Sequence, residues 1–123
     1  MNREAFGPAE ATLDIIGGKY KALILWNLSE GKLRFSELLK NLSTATPKML
    51  TRQLRELEAQ QLIHREVYPM VPPKVEYSLT ETGKSLMPVL CALRDWGRTH
   101  LMPDRPASVS GPTSPMKGTE PIL

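Results

Sequence analysis

In the stretch TPKMLTRQLREL, residues 46–57, Lys48, Arg52 and Arg55 recur at i, i+4 and i+7, the spacing of one α-helical face. Leu50, Leu54 and Leu57 fall on the opposite face, as a buried stripe should. The chemistry open to such a cationic row is anion binding. Lysine and arginine pair with phosphate, and arginine can also bridge the O6 and N7 acceptors of guanine. The order of charge along the helix bears on this. A helix dipole favours acids in the first turn and bases in the last by roughly 0.3–1 kcal/mol each. Here Lys48 and Arg52 stand in the N-terminal half, and Glu56 and Glu58 in the C-terminal half. Stability alone would select the reverse order, whereas DNA phosphates at the N-terminal end cancel the repulsion. A solvated charged face is the ordinary reading of such rows, and the reversed order weighs against it.

Roles follow from side-chain type and place. Arg52 is the expected base contact. Lys48 and Thr51 suit base or phosphate, Arg55 further along suits phosphate, and Pro47 stands at the leading end of the same surface. Arg34, Ser36 and Ser43 are lesser phosphate candidates. Lys74 follows Pro72 and Pro73, which hold it for a minor-groove or phosphate contact, with a plain solubilising role as the alternative.

Covalent chemistry has no such support. His64 and His100 have no partner at triad or ligand spacing, and the single Cys91 cannot anchor a zinc site. The GGK at residues 17–19 is not a phosphate-binding loop, because Leu13 takes the place of its first glycine and Tyr20 that of its Ser/Thr. Neither catalysis, a metal nor a cofactor is expected. The competing function is a module of the same fold that binds protein without binding DNA, which would not need cations set against the dipole.

These residues must be positioned by one modest domain. The chain has 123 residues, 41% of them hydrophobic and 24% charged, ordinary values for a globular protein. Its net charge of +3 is local: residues 32–55 hold Lys32, Arg34, Lys40, Lys48, Arg52 and Arg55 against Glu37 alone. The rest of the chain is therefore net acidic, as expected where one surface meets a polyanion. The longest apolar run, ALILW at residues 22–26, is far short of a membrane span. With no secretory signal pattern and one cysteine, the expected compartment is the cytoplasm. Residues 103–123 carry five of the eleven prolines and read as a disordered tail behind a domain at residues 1–102.

The elements expected before that tail are mostly helical. PAEATLDII starts on Pro8 and stops at Gly17–Gly18; KYKALILWNLSEG places Tyr20, Leu23, Ile24 and Leu28 on one face. FSELLKNL offers Leu38, Leu39 and Leu42 for burial, and the next helix is capped by Thr46 with Pro47 at its first position. LIHREVY and KVEYSL, separated by PMVPP, form a hairpin with a stiff projecting loop. TETGKSLMPVLCALRDWGRTHL closes the domain as one long helix bent at Pro88, with Leu86, Leu90, Leu93 and Gly97, flanked by Val89 and Trp96, as an apolar seam. The fold class is mostly α with a small β-hairpin, α+β: a winged helix-turn-helix whose wing spans residues 64–79.

IGGKYKALILWNL, RFSEL, KMLTRQLRELE and YPMVPPKVEYSLTETG together resemble the HxlR-type winged helix-turn-helix regulators of bacteria, relatives of the MarR group. The match runs from Pro8 to Leu101. The resemblance implies a homodimer, built from the first and last helices, that binds palindromic double-stranded DNA as a repressor or activator. The seam fits that use if it pairs with Leu13 and Ile16 across a two-fold axis. Packing within one subunit is the alternative. Such a dimer would hold its reading helices about 34 Å apart, one DNA turn. The family commonly carries a cysteine directly before the P-x-E of its first helix, used by several members to sense oxidants. Gly7 stands there, so that mechanism does not carry over, and Cys91 is expected to be a buried, inert thiol. Tyr20 replaces the usual tryptophan. No polar constellation marks a ligand, and a small-molecule effector stays an open partner.

Overall fold

A computed structural model describes residues 3–102; the tail expected at residues 103–123 lies outside them. The elements are α1 (Arg3–Ile16), α2 (Lys21–Asn27) with a 3-10 turn at Leu28–Glu30, β1 (Leu33–Arg34), α3 (Phe35–Asn41), α4 (Pro47–Ala59), β2 (Ile63–Tyr68), β3 (Lys74–Leu79), α5 (Glu81–Ser85) and α6 (Met87–His100). The three strands form one antiparallel sheet in the order β1-β3-β2.

Local signals explain the helix-turn-helix. The Glu37 carboxylate accepts the backbone N–H of Arg34 at 2.8 Å and closes the first turn of α3. Thr46 caps α4, its hydroxyl accepting the Met49 N–H at 3.1 Å, with Pro47 in the first turn. The far end of α4 turns through Gln61 at φ 63°, with Leu62 N–H donating to the Leu57 carbonyl and Gln61 N–H to that of Glu58. That paired closure is the left-handed helix stop usually given to glycine.

Between these helices lies the core. Ile24, Leu25, Leu38, Leu50, Leu54 and Leu57 are fully buried, joined by Tyr20, Leu28, Leu42, Leu62, Ile63, Tyr77, Met87 and Leu90. Among the described residues no buried side-chain polar atom lacks a hydrogen-bond partner.

Four expectations need correction. Helix α1 does not start on Pro8 but carries it inside, where it cannot donate to the Glu4 carbonyl and its ring crowds that group. The buried face of α2 is rotated toward Leu25, leaving Leu23 exposed. The wing hairpin gains β1 as a third strand, paired through Leu33 with Tyr77 and Arg34 with Glu76. A pair of residues is too short to show alternation in sequence. The last helix is two helices. Pro88 cannot donate to the Lys84 carbonyl and its ring crowds that group, so α5 ends at Ser85 and α6 restarts with Pro88 in its first turn.

Helix α5 sits tightly on the exit from α4. The Thr80 hydroxyl donates to the Gln61 carbonyl at 2.7 Å and accepts Gly83 N–H at 3.0 Å, while Thr80 N–H donates to the Leu62 carbonyl at 3.1 Å. A Cβ on Gly83 would overlap the Leu62 carbonyl oxygen, a backbone atom with nowhere to go. Gly83→Ala is expected to destabilise the domain by about 1–3 kcal/mol, measured by denaturant unfolding. A neutral effect would show that α5 shifts freely against the end of α4.

Candidate nucleic-acid interface

The three buried leucines of α4 fix the rotation of that helix about its own axis. Lys48, Arg52 and Arg55 consequently face solvent, with Pro47 exposed at the leading end and Thr51 half-buried at the edge of the row. Arg34, Ser36 and Ser43 are exposed too, at the start of α3 and in the turn after it. All of these side chains thus reach solvent, Thr51 in part.

All of Lys32, Arg34, Lys40, Lys48, Arg52 and Arg55 are exposed, and among the described residues none has a carboxylate at salt-bridge distance. Outside that segment Lys21 pairs with Glu56, Lys74 with Glu76, Lys84 with Glu81 and Arg94 with Asp95, while Lys19, Arg65 and Arg98 have no carboxylate at salt-bridge distance among the described residues. The first turn of α4 holds no acid and its last turn no base. The charge that opposes the dipole therefore goes without compensation inside the protein.

The wing shows a different pattern. Lys74 was expected to project from a rigid strut. Instead its ammonium lies 4.8 Å from the centre of the Tyr68 ring and 3.6 Å from the Glu76 carboxylate. The exposed tip is apolar, with Val71 almost wholly in solvent and Met70 half so. His64 and Glu66 pair at 2.8 Å on the same strand face.

Three polar contacts that hold the helix-turn-helix were not visible in sequence. The Tyr20 hydroxyl and the Thr44 hydroxyl share a hydrogen bond of 2.8 Å, tying the start of α2 to the turn before α4. The tyrosine thus supplies a tether, so it is not merely an aromatic filler. Asn41 donates to the Asn27 side chain at 2.9 Å, joining α3 to α2. Lys21 reaches Glu56 at 2.8 Å, joining α2 to α4. Hydrogen bonding and charge from Lys21, in that order, hold the Glu56 carboxyl below the usual carboxylate range.

The expected apolar seam divides in two. Ile16 and Leu90, 7% and 5% exposed, belong to the subunit's own core, and Leu86 is half-buried against it. Leu13, Val89, Leu93 and Trp96 remain exposed, Leu93 and Trp96 by more than half. Gly97 follows Trp96 on α6, and a Cβ there meets nothing within 4 Å. Among residues 4–16 of α1, only Ile16 is buried. Cys91 is buried, as expected.

A helix-turn-helix followed by a β-hairpin and backed by terminal helices defines the winged helix-turn-helix class. Within that class the chain belongs to the HxlR-like helix-turn-helix family, whose profile matches residues 15–105. It is 57% identical over 93 residues to the HTH-type transcriptional regulator YdeP of Bacillus subtilis, covering 76% of this chain and 73% of that protein. An HTH-type transcriptional regulator of Methanothermobacter thermautotrophicus is 56% identical over 91 residues, 74% of this chain and 70% of that protein. Among solved structures, the redox regulator HypR in its reduced form superposes with a TM-score of 0.74 at 47% identity, covering 80% of this chain and 99% of HypR. A MarR-family regulator from Enterococcus faecalis V583 superposes with a TM-score of 0.71 at 36% identity, covering 80% and 88%.

Proposed function

We propose that this chain works as a homodimer that reads a two-fold symmetric DNA operator, with α4 in the major groove. It is a DNA-binding transcriptional regulator, and nothing in its relatives favours a protein-binding module. The observation that carries the operator reading is the run of six exposed cations with a single acid among them. Every cation of residues 32–55 is exposed and unpaired among the described residues, while Lys21, Lys74, Lys84 and Arg94 are neutralised by carboxylates. A phosphate backbone is the partner that makes such a surface favourable, since each neutralised phosphate releases condensed counterions.

Within that interface Arg52 is assigned the base contact, through the bidentate geometry its guanidinium offers to guanine. Lys48 and Thr51 contact base or phosphate at the leading end of α4, beside Pro47. Arg55, Arg34, Ser36 and Ser43 contact phosphate and set the register of the helix on the duplex. Lys74 has the smaller role, because Glu76 already cancels part of its charge.

Homodimerisation rests on α1 and α6. Over residues 4–16 of α1 only Ile16 is buried, and Phe6 and Leu13 remain 44% and 50% exposed, apolar surface left for a partner to cover. Leu13 of one subunit against Val89, Leu93 and Trp96 of its partner makes a self-complementary patch, with Gly97 admitting close approach. Ile16, Leu86 and Leu90 support that patch from the core side. No helix among the described residues is long and apolar enough to cross a membrane.

Selection of bound duplexes from genomic DNA tests the operator reading. It is expected to return two-fold symmetric sites with half-sites about one helical turn apart, and enrichment of no sequence would contradict it. On the selected site, Arg52→Ala is expected to cost about 1–3 kcal/mol and relax preference at one base pair. Equal loss on all sequences would make Arg52 a phosphate contact. Leu93→Asp is expected to give a monomer by light scattering with weakened operator binding, and an intact dimer would remove that patch from the interface.

A further inference from the structure

We infer that Lys21 is a positioning residue for DNA reading: from α2 it holds the Glu56 carboxylate at 2.8 Å and so keeps it off Arg52. The inference rests on the DNA-reading role of α4 given above.

Arg52 and Glu56 stand at i and i+4 on the same helix, the spacing at which a guanidinium and a carboxylate ordinarily meet. In this structure they do not meet. Glu56 is paired with Lys21, and Arg52 has no carboxylate at salt-bridge distance among the described residues. The side chain of Lys21 is only 12% exposed against 48% for that of Glu56. Its helix is anchored in the core through Ile24 and Leu25. The ammonium is thus offered from a fixed place with little freedom left to lose, which gives it the advantage over a solvated arginine on a long stem.

Arg52 acts on Glu56 only through space, and more weakly than Lys21 does. The depressed carboxyl keeps the bridge formed at and above the ordinary carboxylate range, and the bridge is lost as pH falls through the lowered value. The consequence for binding is twofold. The guanidinium of Arg52 stays free to swing toward a base, and the acid nearest to it on α4 arrives at the duplex already neutralised.

Binding isotherms of wild type, Lys21→Met, Lys21→Arg, Glu56→Gln and the Lys21→Met/Glu56→Gln double variant on one selected duplex, at one salt concentration, test this, with thermal melts alongside. Lys21→Met is expected to bind more weakly, by about fivefold per half-site. Lys21→Arg and Glu56→Gln should bind as wild type does, and the double variant should return to within about twofold of wild type. A pair that only braces α4 against α2 predicts otherwise: Glu56→Gln as weak as Lys21→Met, with no rescue in the double variant. That result overturns the inference, as does a Lys21→Met chain that binds normally or fails to fold. A wild-type chain that binds no duplex removes the DNA-reading role itself, and the inference with it.

Discussion

The rotation of α4 about its own axis is the constraint on which the rest of the structure depends. Leu50, Leu54 and Leu57 are each no more than 2% exposed, and burial of such a side chain stabilises by about 1.5–3 kcal/mol. A cation at the wrong end of the helix dipole costs roughly 0.3–1 kcal/mol. The leucines therefore decide the orientation, and the row Lys48, Arg52, Arg55 is turned outward with energy to spare. The unfavourable order of charge survives because the hydrophobic term dwarfs it, and an external anion is what turns the arrangement from tolerated to useful.

The remaining contacts read as ways of keeping that surface rigid and open. Thr46 closes the first turn of α4, and Gln61 and Leu62 close the last. Tyr20, Asn27 and Lys21 on or beside α2 reach the turn, α3 and α4 respectively, so one core helix sets three parts of the motif. Strand β1 ties the start of α3 to the wing through Arg34 and Glu76. Four carboxylates, those of Glu56, Glu76, Glu81 and Asp95, are engaged by Lys21, Lys74, Lys84 and Arg94.

Much of this was legible in sequence, for reasons that are local. The period of the leucines, the Thr46-Pro47 start and the prolines of the wing act over a few residues, and the structure agrees with them. Where sequence and structure part, the deciding neighbours are remote. Periodicity identified the apolar face of α6, but what covers it is a matter of tertiary packing, which took Leu90 inside and left Leu93 out. Pro88 signalled a bend; the full break at Leu86 came from the crowding of Lys84. Lys21 and Glu56 lie far apart in the chain with no pattern linking them, as do Tyr20 and Thr44. The prolines before Lys74 suggested a fixed projecting lysine, yet Tyr68 and Glu76 capture it across and along the hairpin.

The central claim is that the α4 row meets duplex DNA as a polyanion, and the salt dependence of duplex binding tests it most directly. For the wild-type chain, log affinity should fall steeply and linearly with log salt. Changing Lys48, Arg52 and Arg55 together to Gln should flatten that slope by about 0.9 for each phosphate that is no longer neutralised. An identical slope in the two proteins, with affinity otherwise intact, would contradict the account.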